Sequence, residues 1–374
     1  MSVLKKLVFV TIAALTAVVL VDVILTAIVS SPNDYLTATP NSGFVWEMND
    51  ELIPGIDSTS KVRFNNIGAR SSELKIGDTR IKIAAFGGST TACLALDQEY
   101  VWTNLLQNKL GSNFWVGNFG RPGNNSGHHT LQTQFILEKT ELKDTKYVII
   151  LVGVNDLCGY LADSTKYLQD YSDLNYKLAA FEHIPNEGLP WYRTRFLFKT
   201  IKNFKRRITF LSSAKTYPEA IQETRDKRIK ADKPDRLPEL KPGILKYRER
   251  LSKIIQNCKT HGTQPIFFCQ PVMWSDSLNY DLEKLLWFGH YNDLALQKTK
   301  YYDTPSLAKG MKIFNEALLD VCNKEAVPCF WLTLPQNTEA FYDDCHFNES
   351  GSRLVASQMY TSLKTVIPEL TETK

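Results

Sequence analysis

The chain contains 374 residues, of which 43% are hydrophobic and 22% are charged, and its formal net charge at pH 7 is +4. A chain of this length and composition can bury a substantial core in one large or two ordinary domains, which excludes an intrinsically disordered protein. The modest charge and the lack of an RNA-binding pattern of basic and aromatic residues give no indication of a nucleic-acid partner.

The seven cysteines are scattered, odd in number and without a Cys-x-x-Cys spacing. This pattern argues against a zinc site and against a dense disulfide framework. Cys322 and Cys329 could pair in an oxidising compartment, but we do not expect that disulfide.

The first predicted element is an apolar helix. Two lysines precede residues 7–29, which are apolar except for threonines and Asp22, and this length is sufficient to span a bilayer. A cleaved signal peptide has a shorter apolar region, and residues 26–31 form a mediocre cleavage site, so we favour an uncleaved anchor. No further Lys or Arg occurs before Lys61, which places the amino terminus in the cytoplasm and the rest of the chain outside. Asp22 is costly in lipid, so we expect it near the outer interface or against a partner helix.

The organisation of the remaining chain follows from its composition. Residues 1–30 are predicted to form a cytoplasmic tip and transmembrane anchor. Residues 31–80, whose first half is rich in Pro, Asn, Asp and Thr, form a linker and an N-terminal extension. The main domain covers 81–374 and carries an insertion at about 160–242, which is longer than a crossover between strands needs.

From Ile81 onward, short apolar runs alternate with segments of helical spacing. The predicted strands are Ile81–Phe86, Phe114–Asn118, Tyr147–Val152, Gln264–Cys269 and Val327–Trp331. The predicted helices fall around residues 100–110, 131–137, 245–258 and 314–321. Continuous apolar strands separated by helices are typical of a parallel sheet covered on both faces, which gives a three-layer α/β fold.

Polar and glycine-rich segments follow each predicted strand. They are Gly87-Gly88-Ser89, Asn118–Ser126, Gly153–Asp156, Gln270-Pro271 and Asp343–His346. The carboxyl ends of parallel strands meet at one edge of a sheet, which is where ligands bind in such folds. We therefore expect these segments to form one site.

The side chains in these segments are those needed for acyl transfer. A serine hydroxyl requires a base, usually an imidazole held by a carboxylate, and Asp343 and His346 are spaced so that one turn brings them together. The oxyanion of the intermediate needs donors, for which the Ser89 N–H, the Gly123 N–H and the Asn155 amide are candidates. Taken alone, Ser89 could instead be a helix N-cap and the other segments ordinary turns or caps.

Together, the four blocks resemble the SGNH hydrolases, also called the GDSL esterase/lipase family. The blocks that carry the resemblance are Gly87-Gly88-Ser89, Gly123 within Asn118–Ser126, Gly153-Val154-Asn155-Asp156, and Asp343-Asp344-Cys345-His346 with the following residues 347–351.

The resemblance covers residue 81 to about residue 363 and implies a flavodoxin-like SGNH fold. It implies that Ser89 is the nucleophile, that His346 is the base and that Asp343 orients the base. The sequence departs from the family name at Gly88, where Asp is implied, so a hydrogen-bonding role of that Asp is filled otherwise or lost. His128 and His129 follow the second block but are interpreted as structural or exposed.

The insertion contains a second amphipathic pattern. Leu197, Ile201, Phe204 and Ile208 recur at helical spacing opposite a basic face. A helix lying on anionic lipid is one interpretation, and a helix that covers the domain or its cleft is the one we favour. Residues 216–242 are charged and punctuated by Pro, which predicts an exposed, mobile excursion.

These observations predict a membrane-tethered, extracytoplasmic serine esterase that forms an acyl-enzyme on Ser89 and requires no metal or other cofactor. An acetyl ester on an envelope glycan and a lipid acyl ester are the leading substrates. Transfer of the acyl group to an envelope glycan is an alternative, because only the acceptor differs. A catalytically silent glycan-binding protein with the same fold is a second alternative.

Overall fold

The computed structural model describes residues 3–29, 33–202, 204, 216–293 and 298–371. Two units are distinguished within the chain. The first takes in Met1–Tyr35 and His183–Lys215, and the second takes in Leu36–Glu182 and Thr216–Lys374.

Nine strands lie in the described residues, all of them in the second unit. They are β1 (Gly43–Glu47), β2 (Thr59–Arg63), β3 (Ile81–Gly87), β4 (Phe114–Asn118), β5 (Tyr147–Val152), β6 (Gln264–Cys269), β7 (His290–Asp293), β8 (Lys298–Tyr301) and β9 (Cys329–Phe330). Five of them form a parallel sheet in the order β4-β3-β5-β6-β9. The pairs β1–β2 and β7–β8 are antiparallel.

Helices in two groups cover the faces of the five-stranded sheet. One group pairs Trp102–Leu110 with Glu349–Leu363, and the other packs Lys241–Thr260 against Ser126–Ile136 and Thr304–Lys324. The other α-helices described in this unit are Ser89–Ala92, Val154–Ala162, Ser164–Tyr167, Leu174–Ala180, Tyr217–Lys230 and Tyr280–Glu283. The predicted three-layer α/β architecture is therefore confirmed, and its core lies between the sheet and these two helix layers.

The predicted strands agree closely with the structure because their side chains are buried on both faces. Every residue of β5 is buried, and residues 83–86 of β3 are fully buried. The last strand is shorter than predicted, since only Cys329 and Phe330 pair with β6. Pro328 precedes it and has no N–H to donate, as is common at the start of an edge strand.

The expectation that residues 216–242 form an exposed excursion is wrong. Tyr217–Lys230 is a helix whose Arg225 and Arg228 side chains are buried. Arg225 donates to the carbonyls of Leu285 and Tyr342 at 2.9 Å each, and Arg228 donates to backbone carbonyls in the same way. Burial of a cation is tolerated when carbonyl oxygens accept its protons, and charged composition alone does not show such partners.

The first unit contains the helix Val3–Ile28, which is long and apolar enough to cross a membrane. Residues 196–202 are also helical, and the side chains of Asp22 and Thr26 accept from the N–H groups at the start of that helix. The distances are 2.7 Å from Leu197 N to Asp22 Oδ1 and 2.9 Å from Phe196 N to Thr26 Oγ1. These bonds satisfy N–H groups that a helix leaves unpaired.

The predicted amphipathic stripe is only partly covered by the structure. Leu197, Ile201 and Phe204 are helical and exposed. Ile208 of the predicted stripe and the cations at 205–207 on the opposite face lie outside the described residues.

A buried arginine ties the N-terminal extension to the sheet. Arg70 is 1% exposed, and its guanidinium donates to the carbonyls of Ala92, Cys93 and Leu96 at 2.7–2.9 Å. It also donates to Gln98 Oε1 at 3.0 Å. Burial lowers the pKa of Arg70 to about 10, against the charges of Cys93 and Asp97. The planar fork of this side chain therefore fixes the loop that follows the first strand of the sheet.

Replacement of Arg70 by lysine is expected to lower the free energy of unfolding by about 2–4 kcal/mol, because one ammonium cannot reach all four acceptors and leaves buried carbonyls unpaired. Urea denaturation of the full chain measures this loss. Arg63→Lys, at an exposed position of β2, is the control and should change the free energy by less than about 0.5 kcal/mol. Equal stability of the two variants would show that the Arg70 fork is dispensable.

Candidate active site

The segment that carries Ser89 is a single helical turn fixed from outside. Ser89–Ala92 follows β3, and its carbonyl oxygens accept bonds from buried side chains of neighbouring elements. Trp102 Nε1 donates to Thr90 O at 3.0 Å, and Asn118 Nδ2 donates to Thr91 O at 2.7 Å. Because a helix of one turn leaves most of its carbonyls without internal partners, these bonds determine where Ser89 lies.

His346 lies between Ser89 and Asp343. Its Nε2 is 2.7 Å from Ser89 Oγ, and its Nδ1 is 2.7 Å from Asp343 Oδ2. Since the carboxylate accepts a hydrogen bond from Nδ1–H, Nε2 is unprotonated and can accept a hydrogen bond from the serine hydroxyl. The structure therefore joins Ser89, His346 and Asp343 in one hydrogen-bonded chain, although Ser89 and His346 are 257 positions apart in the sequence.

The carboxylate of Asp343 is buried and receives several further donors. The backbone N–H groups of Cys345 and His346 bond to Oδ1 at 3.1 and 2.9 Å, and Trp287 Nε1–H bonds to Oδ2 at 2.8 Å. Burial acts to raise the pKa of Asp343, but the charge and hydrogen bonds of His346 and the bond from Trp287 outweigh it and lower the pKa. The carboxylate is therefore held in its charged form.

The imidazole of His346 is affected by the same charges in the opposite direction. Burial acts to lower the pKa of His346, but the charge and hydrogen bond of Asp343, together with the charge of Asp344, outweigh it and raise the pKa. The ring is nearly parallel to the rings of Trp287 and Tyr342, whose centroids lie 6.2 and 5.4 Å from its own. Such aromatic faces fix the orientation of the ring and favour its positive form.

Trp287 and Asp344 are functional candidates that the sequence analysis missed. Asp344 accepts from Trp274 Nε1 at 2.7 Å and from the backbone N–H groups of Trp287 and Phe288 at 2.7 and 3.1 Å. These bonds place the Trp287 ring against His346. No motif marks Trp287, although the Asp-Asp pair at 343–344 offered a signal that a second carboxylate is buried there.

Asp343, Cys345 and His346 also offer ligand atoms within 4.8 Å of one another, which is the composition of a metal site. The carboxylate is bonded directly to the imidazole, and burial with the charges of Asp343 and Asp344 raises the pKa of the Cys345 thiol well above its usual value. Metal ligation requires a thiolate, so this group fits a hydrogen-bonded pair better than a coordination sphere.

The three predicted oxyanion donors border the same cavity as Ser89. Asn155 Nδ2 donates to Asn124 O at 2.8 Å, which orients its amide, and its second N–H has no acceptor among the described residues. Gly123 has φ of +78°, a conformation that favours glycine, and a Cβ added there would meet open space. Within the described part of the chain, the backbone N–H groups of Ser89 and Gly123 have no acceptor.

Gly88, where the family name implies Asp, makes room for Asn155. A Cβ at this position would lie 2.3 Å from Asn155 Nδ2 and 3.2 Å from Asn124 O. Any side chain at position 88 would therefore displace the amide or the carbonyl that orients it. In this chain, the close approach of these two groups takes the space that a side chain would need.

Asp156, next to Asn155, links the second and third sequence blocks. Its buried carboxylate accepts from Ser126 N at 3.1 Å, from Ser126 Oγ and from Tyr167 OH at 2.8 Å. Burial raises the pKa of Asp156, against these hydrogen bonds and the charge of Arg250. The bonds hold the start of the helix Ser126–Ile136 beside the start of the helix Val154–Ala162, so the loop with Gly123 and the Asn155 amide are kept together.

A cavity with a volume of about 440 Å³ lies beside Ser89 and His346. We name it the catalytic cavity after the role predicted for these two residues. Its walls are mainly apolar and come from widely separated segments, including Trp46, Leu94, Tyr217 and Phe288. Trp46 of β1 stacks on Tyr217 with ring centroids 4.8 Å apart. The N-terminal extension and the helix Tyr217–Lys230 therefore both contribute to the wall of this cavity.

The chain matches one family of known proteins. The model of the GDSL-like lipase/acylhydrolase family matches residues 85–354. No curated protein shows significant sequence similarity to the chain.

Several solved structures match the chain. A putative lipolytic protein of the G-D-S-L family from Desulfitobacterium hafniense DCB-2 has 10% identity and a TM-score of 0.39, covering 76% of this chain and 100% of its own. A member of the lipolytic G-D-S-L family from Veillonella parvula DSM 2008 has 13% identity and a TM-score of 0.40, with coverage of 77% and 98%. The M. smegmatis aryl esterase has 10% identity and a TM-score of 0.40, with coverage of 77% and 100%.

Gly88→Ala is expected to reduce the free energy of unfolding by about 1–3 kcal/mol, because the added methyl group meets the Asn155 amide at less than contact distance. Chemical denaturation measures the loss, and a crystal structure of the variant should show Asn155 moved away from Asn124 O. Gly188→Ala is the matched control, since a Cβ there meets nothing within 4 Å. An unshifted Asn155 in the variant would contradict the steric explanation for Gly88.

Proposed function

The chain belongs to the GDSL-like lipase/acylhydrolase family and is a serine ester hydrolase, and on that premise we propose that it hydrolyses an acyl ester through a covalent intermediate on Ser89. The observation that supports this most directly is the bonded chain from Ser89 Oγ through His346 to Asp343, with both contacts to the ring at 2.7 Å. A hydroxyl that donates to a carboxylate-bound imidazole is activated for attack.

In the first step, Ser89 Oγ attacks the ester carbonyl carbon while its proton passes to His346 Nε2. The intermediate collapses, the carbon–oxygen bond to the alcohol breaks, and His346 returns the proton to the departing alcohol. A water molecule then repeats the sequence on the acyl-enzyme, which releases the acid and restores Ser89. Asp343 remains charged and stabilises the imidazolium in both steps.

The negative charge on the carbonyl oxygen is proposed to be stabilised by the N–H groups of Ser89 and Gly123 and by the Asn155 amide. These donors are in place before the substrate arrives, so no reorganisation is needed as the charge develops. Among the described residues the N–H groups of Ser89 and Gly123 have no other acceptor, which supports this role, as does the bond from Asn155 to Asn124 O, which fixes the amide.

The acyl group is proposed to occupy the catalytic cavity. A volume of about 440 Å³ lies within the range of about 300–1,000 Å³ typical of small-molecule sites and exceeds what an acetyl group fills. The apolar walls favour an acyl chain longer than acetyl through the burial of methylene groups. Acetyl esters would still be accepted, but with less binding energy.

The apolar helix Val3–Ile28 is proposed to anchor the protein in a membrane, with the catalytic unit on the extracytoplasmic side. The lysines that precede the apolar run support this orientation. The backbone donors that bond to Asp22 support a position of this residue near the outer interface, since they reduce the cost of its charge.

Ser89→Ala is expected to lower the turnover of p-nitrophenyl butanoate by about 10⁴-fold or more and to abolish labelling by a fluorophosphonate probe, because no other group can form the acyl-enzyme. Ser112→Ala, at an exposed position, is the control and should retain both activities. A folded Ser89→Ala protein that still turns over the ester would refute the proposal, and a wild-type protein that is not labelled would favour a silent binding protein.

The kcat/KM for this ester is expected to fall at acid pH with a midpoint above the ordinary histidine value of 6.5, because the pKa of His346 is raised and only the neutral ring can accept the serine proton. Below that pKa the ring is protonated and the rate is lost, and above it the rate is constant until other groups titrate. A pH–rate profile measures the midpoint. A midpoint at or below 6.5 would mean that burial outweighs the charges of Asp343 and Asp344.

A further inference from the structure

A second and larger cavity adjoins the catalytic cavity. We name it the polar chamber; its volume is about 910 Å³, and it is lined mainly by segments 121–128 and 162–179. Five residues border both spaces: Pro122, Gly123, Asn155, Gly159 and Ala162. Gly123 and Asn155 are two of the three proposed oxyanion donors, so the chamber meets the catalytic cavity where the ester carbonyl would lie.

Three of the residues that border both spaces lie on one helix, and two of these have little or no side chain. Asn155, Gly159 and Ala162 are spaced four and three residues apart on the helix Val154–Ala162, so they lie on one face. A Cβ added at Gly159 would meet only the Tyr167 ring, at 3.6 Å. Gly159 and Ala162 therefore add little bulk where the two spaces adjoin, and an ester held at Asn155 would have one space on the side of each of its halves.

The lining of the polar chamber offers hydrogen-bonding groups that the protein does not use. Among the described residues, the side-chain amides of Gln169 and Asn175 have no partner, and both residues are exposed at the chamber. The ring of His128 accepts from Asn125 N at its Nδ1, so its Nε2 carries the proton and can donate. The same ring packs on Tyr176 with centroids 4.7 Å apart, which gives the chamber an aromatic wall.

The charges that line the chamber balance. Arg121 and Lys166 are the cations and Asp163 and Asp173 are the carboxylates among its described lining residues. Arg121 is already 3.3 Å from Glu182, and burial lowers the pKa of His128 to about 3, which keeps this ring neutral. A site built for a phosphate would carry an excess of cations, so the balance favours a neutral ligand.

We propose that the polar chamber binds the alcohol half of the ester and that this alcohol is a neutral carbohydrate. This inference rests on the proposed function, because it places the acyl group in the catalytic cavity and the sugar on the other side of the oxyanion donors. Unused amides, a neutral imidazole N–H and aromatic faces match hydroxyl groups and the apolar faces of sugar rings. A glycerophosphate head group would be disfavoured by the two carboxylates.

Three butanoyl esters with one acyl group and different alcohols test this inference on the full chain: p-nitrophenyl butanoate, 6-O-butanoyl methyl glucoside and 1-butanoylglycerol 3-phosphate. The kcat/KM for the glucoside should exceed that for the glycerophosphate by tenfold or more. The double variant Gln169→Ala/Asn175→Ala should lose about tenfold in kcat/KM for the glucoside, mainly through KM, and clearly less for the aryl ester, because two neutral hydrogen bonds are removed.

The matched control is Asn113→Ala, an exposed asparagine that precedes β4 and lies away from both cavities, and it should behave as wild type on all three esters. An equal loss on every ester in the double variant, or a preference for the glycerophosphate, would overturn the carbohydrate assignment. Hydrolysis of the aryl ester without hydrolysis of the glucoside would overturn it as well, and would leave the proposed function intact. Failure of all three esters and of fluorophosphonate labelling would overturn the proposed function itself, and this inference with it.

Discussion

The geometry of the site depends on one short helix that has too few internal hydrogen bonds to be stable by itself. Ser89–Ala92 is a single turn, and its carbonyls are paired by Trp102, Asn118 and Arg70 from three different parts of the fold. The position of Ser89 on such a turn is set by the side chains that bond to the turn, because a helix of one turn is not stable by itself. The core of the unit, rather than the local sequence, therefore determines where the hydroxyl lies.

On the other side of the site, the consecutive carboxylates of Asp343 and Asp344 bond to different groups. Asp343 bonds to the imidazole. Its carboxyl is buried, but His346 and Trp287 nevertheless lower the pKa of that carboxyl. Asp344 bonds to the backbone around residue 287 and to Trp274, and burial together with the charge of Asp343 raises its pKa. Asp343 thus bonds to the His346 ring, Asp344 bonds to the backbone that carries the Trp287 ring, and each carboxylate has several donors that offset the cost of its burial.

The loops at the sheet edge are tied to one another as well as to the strands. Asp156 bonds to Ser126, and Asn155 bonds to Asn124 O, so the segments after β4 and β5 are held to each other by direct hydrogen bonds. Gly88 lacks the side chain that would separate them from the Ser89 turn. Two cavities adjoin at this point, and Gly123 and Asn155 line both of them, which is why we propose that they receive the two halves of one ester.

The sequence by itself determined the strands and the polar segments that follow them, because buried parallel strands have continuous apolar runs and their carboxyl ends share one edge. The same segments supplied Ser89, Gly123, Asn155, Asp343 and His346 as candidates for the site. The sequence did not determine the burial of Arg225 and Arg228, the ring of Trp287 against His346 or the space that Gly88 leaves for Asn155. Those depend on partners up to 173 positions away, such as the Leu52 carbonyl that receives Arg225. Periodicity reports which face of an element is buried, whereas the hydrogen-bond partner of a buried charge is decided only when distant segments pack together.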